Sequence, residues 1–329
     1  MINEKMHLVD NLTDKDKLEM APTRDGYGKG LIEAGEKDKN VVVLCADLAE
    51  STRTHWFKEK FPERYIEMGV AEQNMATVAA GLALAGKIPF ISSYAAFSPG
   101  RNNEQLRTTA ALNNVPVKIG GAHAGISVGP DGATHQALED AGLMRMIPRM
   151  TVLVPCDAVE AKKATLAAAK LPGPVYIRFA RDNSPVFTTE DTPFEVGKAQ
   201  VFREGKDATI VAASMLVYDA LVAAEELSKE GLDVGVVNSP SLKPFDVETV
   251  VGEAKKSGAV VSVEEHQVIG GLGSAVAETL AQHYPVPQEF IGVKDRFGES
   301  GNADELMKEF GLDVPAIKEA VKKVVSRKK

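Results

Sequence analysis

The sequence predicts an α/β protein of two domains, each a mostly parallel sheet covered by helices. Three observations predict it. From Asn40 onward, short runs rich in Val and Ile alternate with longer helical patterns. The alternation pauses once, near residue 190, and then resumes. The chain has 329 residues, 44% hydrophobic and 26% charged, which suffices for two ordinary cores.

In chain order, residues 1–20 are polar and read as a loosely held lead-in helix. The runs NVVVLCADL, KIPFISSY, VPVKIGG, TVLVPCD and PVYIRFA then read as strands, with helical spacing in the segments between them, as in AVEAKKATLAAAK. This alternation argues for a parallel sheet with helical crossovers and marks a first domain over 21–190. The polar stretch TTEDTPFEVGKAQVFREGKD, broken by Pro and Gly, reads as a linker and the entry to a second domain over 191–329. There ATIVAAS, LDVGVVNS, GAVVSVEE and EFIGVKD read as strands, YDALVAAEELSKEG as a helix, and KEAVKKVVSRKK as a closing amphipathic helix with a basic tail.

The formal charge of −8 sets the surface as a whole against nucleic acid and acidic membranes, so an anionic ligand has to be met by a local cluster of Arg and His. The two cysteines, Cys45 and Cys156, lie in strand-like runs and read as buried thiols of a reducing compartment. The sequence opens on no charged-then-apolar signal, and its longest apolar stretch, ATVAAGLALAG, is too short and Gly-interrupted to span a bilayer. A cytoplasmic protein without membrane contact is the expectation.

In open α/β sheets, ligands bind at loops beyond the carboxyl ends of strands. Asp47 and Ser51 follow the first strand of this order, Phe97 the second, His123 the third and Arg181 the fifth. In MGVAEQNMATVAAGLALAG, Glu72 opens a helix of small residues. A carboxylate there is ordinarily a partner of the helix dipole. So many Ala and Gly permit close packing, however, and a desolvated carboxyl favours sharing a proton with a ring nitrogen. In GGAHAGISVGPDGATHQALED, His123, Asp131 and His135 share one Gly-rich loop, which favours a catalytic or binding role. The spacing of the two histidines fits no zinc pattern, and no G-x-S-x-G elbow marks a serine hydrolase. Arg24, Ser51 and Arg181 are weaker signals singly, with Arg181 the strongest because it emerges from a buried strand and arginine suits phosphate. The strings GYGKG and IGGLGSA invite a dinucleotide reading, which is disfavoured because neither directly follows a predicted strand.

DLAEST, MGVAEQNM, SSYAAF, HAGISVGPDGATHQALED, IRFARDNSP and VEEHQVIGGLGS together resemble, in order, the C-terminal half of transketolases, from about Thr23 across nearly the whole chain. The resemblance implies a pyrimidine-binding domain followed by the transketolase C-terminal domain, and thiamine diphosphate with Mg2+ as cofactors. It places Glu72 on the cofactor-activating glutamate, Phe97 on an aromatic packing against the pyrimidine, and Asp47 on a carboxylate near the cofactor. It places Arg24, Ser51, His123 and Arg181 around the substrate phosphate, Asp131 at the C2 hydroxyl, and His135 near the C1 and C2 oxygens. The aromatics that follow Phe97 in the family are not matched, since SPGRNNEQ stands there. Nor is the family's G-D-G segment with its downstream Asn, which holds the diphosphate and metal; GPDG at Gly129 belongs to the sugar-side loop. No metal ligand is therefore expected from this chain. The implied partner is a separately encoded N-terminal subunit that binds the metal, in a heterotetramer with a homodimer contact, acting on phosphorylated sugars. A deoxyxylulose-phosphate synthase, the β subunit of a 2-oxoacid dehydrogenase and a non-catalytic paralogue are the alternatives. His123 argues against the first and the cations against the second. The third predicts decay at Glu72, Asp131 or His135, which the sequence does not have.

Overall fold

The computed structural model describes residues 1–12 and 14–328. In chain order its strands are β1 (Glu19–Ala21), β2 (Val41–Cys45), β3 (Tyr65–Glu67), β4 (Ile88–Tyr94), β5 (Lys118–Ala122), β6 (Thr151–Leu153), β7 (Val175–Arg178) and β8 (Ser184–Val186). They continue as β9 (Gln200–Arg203), β10 (Ala208–Ala212), β11 (Val234–Asn238), β12 (Ser241–Lys243), β13 (Val260–Gln267) and β14 (Gln288–Val293). One sheet runs β12-β6-β7-β5-β4-β2-β3 and is parallel except for the edge strand β12; a second runs β14-β13-β10-β11-β9 and is parallel except for β9. The class is α/β, and every strand expected from a Val/Ile run is present.

Period-two alternation divides the first sheet between two cores. Val41 and Val43 point to a cluster with Tyr27, Leu31, Phe57 and Phe90. Val42 and Leu44 point to another with Met75, Ala76 and Ala79, which runs on into Val211, Val237 and Leu272 of the second sheet. The glycines of GYGKG belong to the helix Thr23–Lys37 and serve packing rather than nucleotide binding. A Cβ on Gly26 would fall 1.9 Å from the carbonyl oxygen of Ala158, and one on Gly30 would fall 2.6 Å from Thr165 Cβ. Both residues let this helix lie tightly against the helix Ala158–Lys170.

Four expectations are corrected. The lead-in is neither a helix nor loosely held: it has single turns at Glu4–Met6 and Lys15–Lys17, then β1. Asn3 N–H donates to the Phe202 carbonyl (2.9 Å) and Val9 N–H to that of Phe187 (3.1 Å), while Leu12 and Leu18 are buried with Phe187, Phe202 and Tyr218. The expected linker contains β9, an edge strand that buries Phe202 against β11. The first sheet is completed by β12, from residues 241–243, well beyond the stretch expected to build it. Finally, IGGLGSA does follow a strand, β13, and opens the helix Leu272–His283, just as β1 precedes GYGKG. No diphosphate fits at the former, because the helix's first N–H groups already donate to the buried carboxylate of Glu264 (Leu272 N, 2.7 Å; Gly273 N, 2.8 Å).

Candidate active site

The registers Cys45↔Ser92, Ser93↔Gly121 and Gly121↔Arg178 bring the carboxyl ends of β2, β4, β5 and β7 level, so the loops after them open on one edge of the sheet. Glu72 is the first residue of the helix Glu72–Leu84, and its side chain is 1% exposed. Arg101 Nη1 stands 2.6 Å from its Oε2, Ser93 Oγ donates to Oε1 at 3.4 Å, and Asn102 Nδ2 donates to its backbone carbonyl at 3.2 Å. Phe97 lies in the turn after β4 under the Arg101 guanidinium, 4.9 Å from guanidinium carbon to ring centroid.

Aromatic contacts carry the site onward from Phe97. Its ring is 6.1 Å from that of Tyr94 and nearly parallel to it, and meets His135 edge to face at 5.2 Å. Tyr94 stacks on His123 at 4.0 Å and donates its hydroxyl to Ser51 Oγ (3.1 Å). Arg24 closes the ring of contacts, donating Nη1 to the Ser51 carbonyl (3.1 Å) and lying 3.4 Å from His123 Nε2. His123 is 2% exposed and takes a left-handed backbone conformation (φ 53°), a strained position for a non-glycine residue. Burial, reinforced by the charges of Arg24, Arg181 and Arg53, pushes its pKa down to about 3. Burial and Arg53 likewise lower the pKa of Arg24.

The glycine-rich loop after β5 is fixed from both units of the fold. Arg181 Nη1 donates to the Val128 carbonyl (2.7 Å) and lies 3.6 Å from Asp131 Oδ1. Ser127 N–H donates to Glu265 Oε1 (2.6 Å), on β13 of the second sheet. Gly125 (φ 95°) must be glycine, since a Cβ there would fall 2.3 Å from the Glu265 carboxylate. Gln136 Nε2 donates to the carbonyls of Ile126 (3.2 Å) and Glu299 (2.9 Å). Arg178, fully buried, pairs with Asp140 (3.0 Å) and donates to the Glu265 carbonyl (2.7 Å).

Among the residues expected from sequence, Glu72, Phe97, Ser51, Arg24, His123 and His135 thus form one chain of contacts, with Arg181 and Asp131 paired on the adjoining loop. Asp47 stands apart. It is exposed on the loop after β2, held through its backbone N–H to Glu67 Oε1 (2.8 Å), and joins the cluster by no hydrogen bond, ion pair or ring contact. Sequence reasoning missed Tyr94 and Arg101, which stand in SSYAAF and SPGR, an aromatic at a strand end and a cation in a polar turn.

The chemistry at the first end of this line of contacts suits a thiamine pyrimidine. A buried carboxylate beside an aromatic face supplies the acceptor and the stacking wall that such a ring's N–H edge and π-face require, and Arg101 already presents an N–H donor and a flat cation to the same two groups. At the other end, Arg24, Arg53 and Arg181 around His123 form a local positive field in an acidic protein. Among the described residues, no group of three or more His, Cys, Asp and Glu is arranged to hold a metal ion.

Residues 19–186 match the transketolase pyrimidine-binding domain family and residues 197–317 the transketolase C-terminal domain family. The chain is 44% identical to a 6-deoxy-6-sulfo-D-fructose transketolase subunit of Clostridium sp. (strain MSTE9), over 95% of this chain and 97% of that protein. It is 34% identical to the transketolase of Homo sapiens over 93% of this chain, spanning 49% of that protein. A solved chain described as a split gene transketolase, inactive beta4 tetramer, superposes with a TM-score of 0.88 at 47% identity, covering 94% of this chain and 99% of that one.

Proposed function

The chain belongs to the transketolase family, and we propose that it is the C-terminal subunit of a split transketolase, which moves a two-carbon ketol unit from a ketose phosphate to an aldose phosphate. The family's reaction uses thiamine diphosphate and a divalent metal. In the proposed enzyme, residues 21–190 hold the pyrimidine half of the cofactor, residues 191–329 form the C-terminal domain, and a separately encoded N-terminal subunit holds the diphosphate and Mg2+. The relative described as a split-gene beta4 tetramer supports that division. The whole assembly is proposed to be cytoplasmic; among the described residues no helix is long and apolar enough to cross a membrane.

The observation that carries this reading is the continuous line of contacts from a buried carboxylate to a cluster of cations. One end suits a heteroaromatic cofactor and the other suits an anionic sugar terminus, along a single line of contacts. A 2-oxoacid dehydrogenase β subunit needs the first end and not the second.

When bound, thiamine diphosphate supplies the carbon nucleophile and the electron sink that cleavage of a ketose C2–C3 bond requires. This chain supplies the rest. Glu72 accepts the pyrimidine's hydrogen bond and holds or releases a proton at Oε2, in a place that excludes water. Phe97 sets the plane of the ring, and Asp47, exposed and apart from the cluster, is the proposed carboxylate near the cofactor. Arg24, Ser51, His123 and Arg181 grip the phosphate, Asp131 orients the C2 hydroxyl, and His135, with Nδ1 bonded to Thr134 Oγ1 (2.8 Å), presents Nε2 to the C1 and C2 oxygens.

Co-expression with the N-terminal subunit, followed by an assay of two-carbon transfer from xylulose 5-phosphate to ribose 5-phosphate, tests the proposal. Transfer that requires both chains is the expected result. Decarboxylation of 2-oxoacids without ketol transfer contradicts it.

A further inference from the structure

The groups that suit the cofactor's pyrimidine are already engaged. Arg101 holds the Glu72 carboxylate at 2.6 Å while its guanidinium lies over the Phe97 ring. Guanidinium and aminopyrimidine share the properties that matter here: both are flat, both present N–H donors in the plane, and both stack on an aromatic face. Resting on the functional reading above, we propose that Arg101 is an internal stand-in for the pyrimidine, occupying its seat in the cofactor-free chain and swinging into solvent when the ring arrives.

Three features support an exchange rather than a permanent pair. Glu72 is 1% exposed, and apart from Arg101 its carboxylate meets only the Ser93 hydroxyl at a long 3.4 Å, so without a ring it needs a cation. The Arg101 side chain, by contrast, is 46% exposed and, among the described residues, its guanidinium pairs with Glu72 and lies over Phe97, so its departure costs Glu72 a partner that the arriving ring replaces. Its backbone is fixed. Arg101 N–H donates to the Phe97 carbonyl (2.9 Å), and its neighbour Asn102, fully buried, bonds to the Glu72 carbonyl (3.2 Å) and Ser98 Oγ (3.1 Å). The motion is therefore one of side-chain torsions about an anchored Cα.

A contact present only in the cofactor-free state opposes cofactor binding by the free energy of that contact. The test uses the assembled two-subunit protein and thiamine diphosphate itself, with calorimetric titration and thermal melting as readouts. Arg101→Ala and Arg101→Gln should bind thiamine diphosphate about tenfold more tightly, the size expected when one partner of a charged hydrogen bond is half exposed. They should lower the melting temperature without cofactor and leave it unchanged when loaded, so the cofactor-induced rise grows. Arg101→Lys keeps a cation for Glu72 but loses the flat stack on Phe97, and should fall between Arg101→Ala and the wild type. Unchanged or weaker binding, or equal destabilisation of both states, overturns the stand-in role. Glu72→Gln separates the two levels. If it alters cofactor binding while Arg101→Ala does not, the functional reading stands and the inference falls; if it leaves both binding and cofactor C2-proton exchange untouched, both fall.

Discussion

His123 carries its proton on the nitrogen that faces away from Arg24. A guanidinium can only donate, so Nε2, 3.4 Å from Arg24 Nη1, is the acceptor and Nδ1 bears the hydrogen. Nδ1 is buried and, among the described residues, has no hydrogen-bond partner, so its N–H is the free donor of the ring. With burial and three nearby arginines holding the pKa near 3, the ring offers a hydrogen bond and not a charge at any working pH. Nitrogen-15 NMR of the histidine ring should therefore show a neutral, Nδ1-protonated imidazole from pH 8 down to about 5. A titration midpoint near the ordinary histidine value would contradict this. His123 was legible in sequence because two of six histidines fall in one glycine-rich loop. Tyr94 was not, because an aromatic at a strand end reads as core, nor was Arg101, because a cation in a polar turn reads as solvated. What distinguishes both is a partner distant in sequence, Ser51 for one and Glu72 for the other.

At the scale of elements, the strands mark out the site by where they stop. The long Val and Ile runs were readable because each buries both faces of a parallel sheet. The three-residue strands β3, β8 and β12 were not, being too short for a pattern and specified by the neighbours they pair with. The lead-in was misread for the same reason: its anchors, Phe187 and Phe202, lie some 180 or more residues away. The glycine-rich loop after β5 depends on the second unit through Glu265, whose burial, opposed in part by Arg178 and Ser127, raises its pKa. Glu265→Ala leaves Ser127 N–H without its acceptor and opens space beside Gly125. Amide exchange over residues 125–132 should quicken by about tenfold or more, while β4 and β5 remain protected. Glu265→Gln, which keeps an acceptor oxygen, should restore most of the protection. Exchange unaffected by either change would show that the loop holds its own shape.

For the whole molecule, the two sheets share one buried cluster, and the line of contacts is built on the first sheet, with the glycine-rich loop after β5 braced by the second. An acidic chain thereby concentrates cations at one place, which composition alone required of any anion-binding protein with a net charge of −8. The fold class and the order of the motifs were readable along the whole chain. The brace between the units was not, because Ser127 and Glu265 are joined only after both sheets have formed. The account turns on the Glu72 carboxylate acting on the cofactor. Its most direct test is exchange of the thiamine diphosphate C2 proton in the assembled two-subunit protein, wild type against Glu72→Gln, with folding checked by circular dichroism. The account predicts a variant that folds normally and binds substrate but exchanges the proton more slowly by about a hundredfold or more. Exchange at the wild-type rate would contradict it.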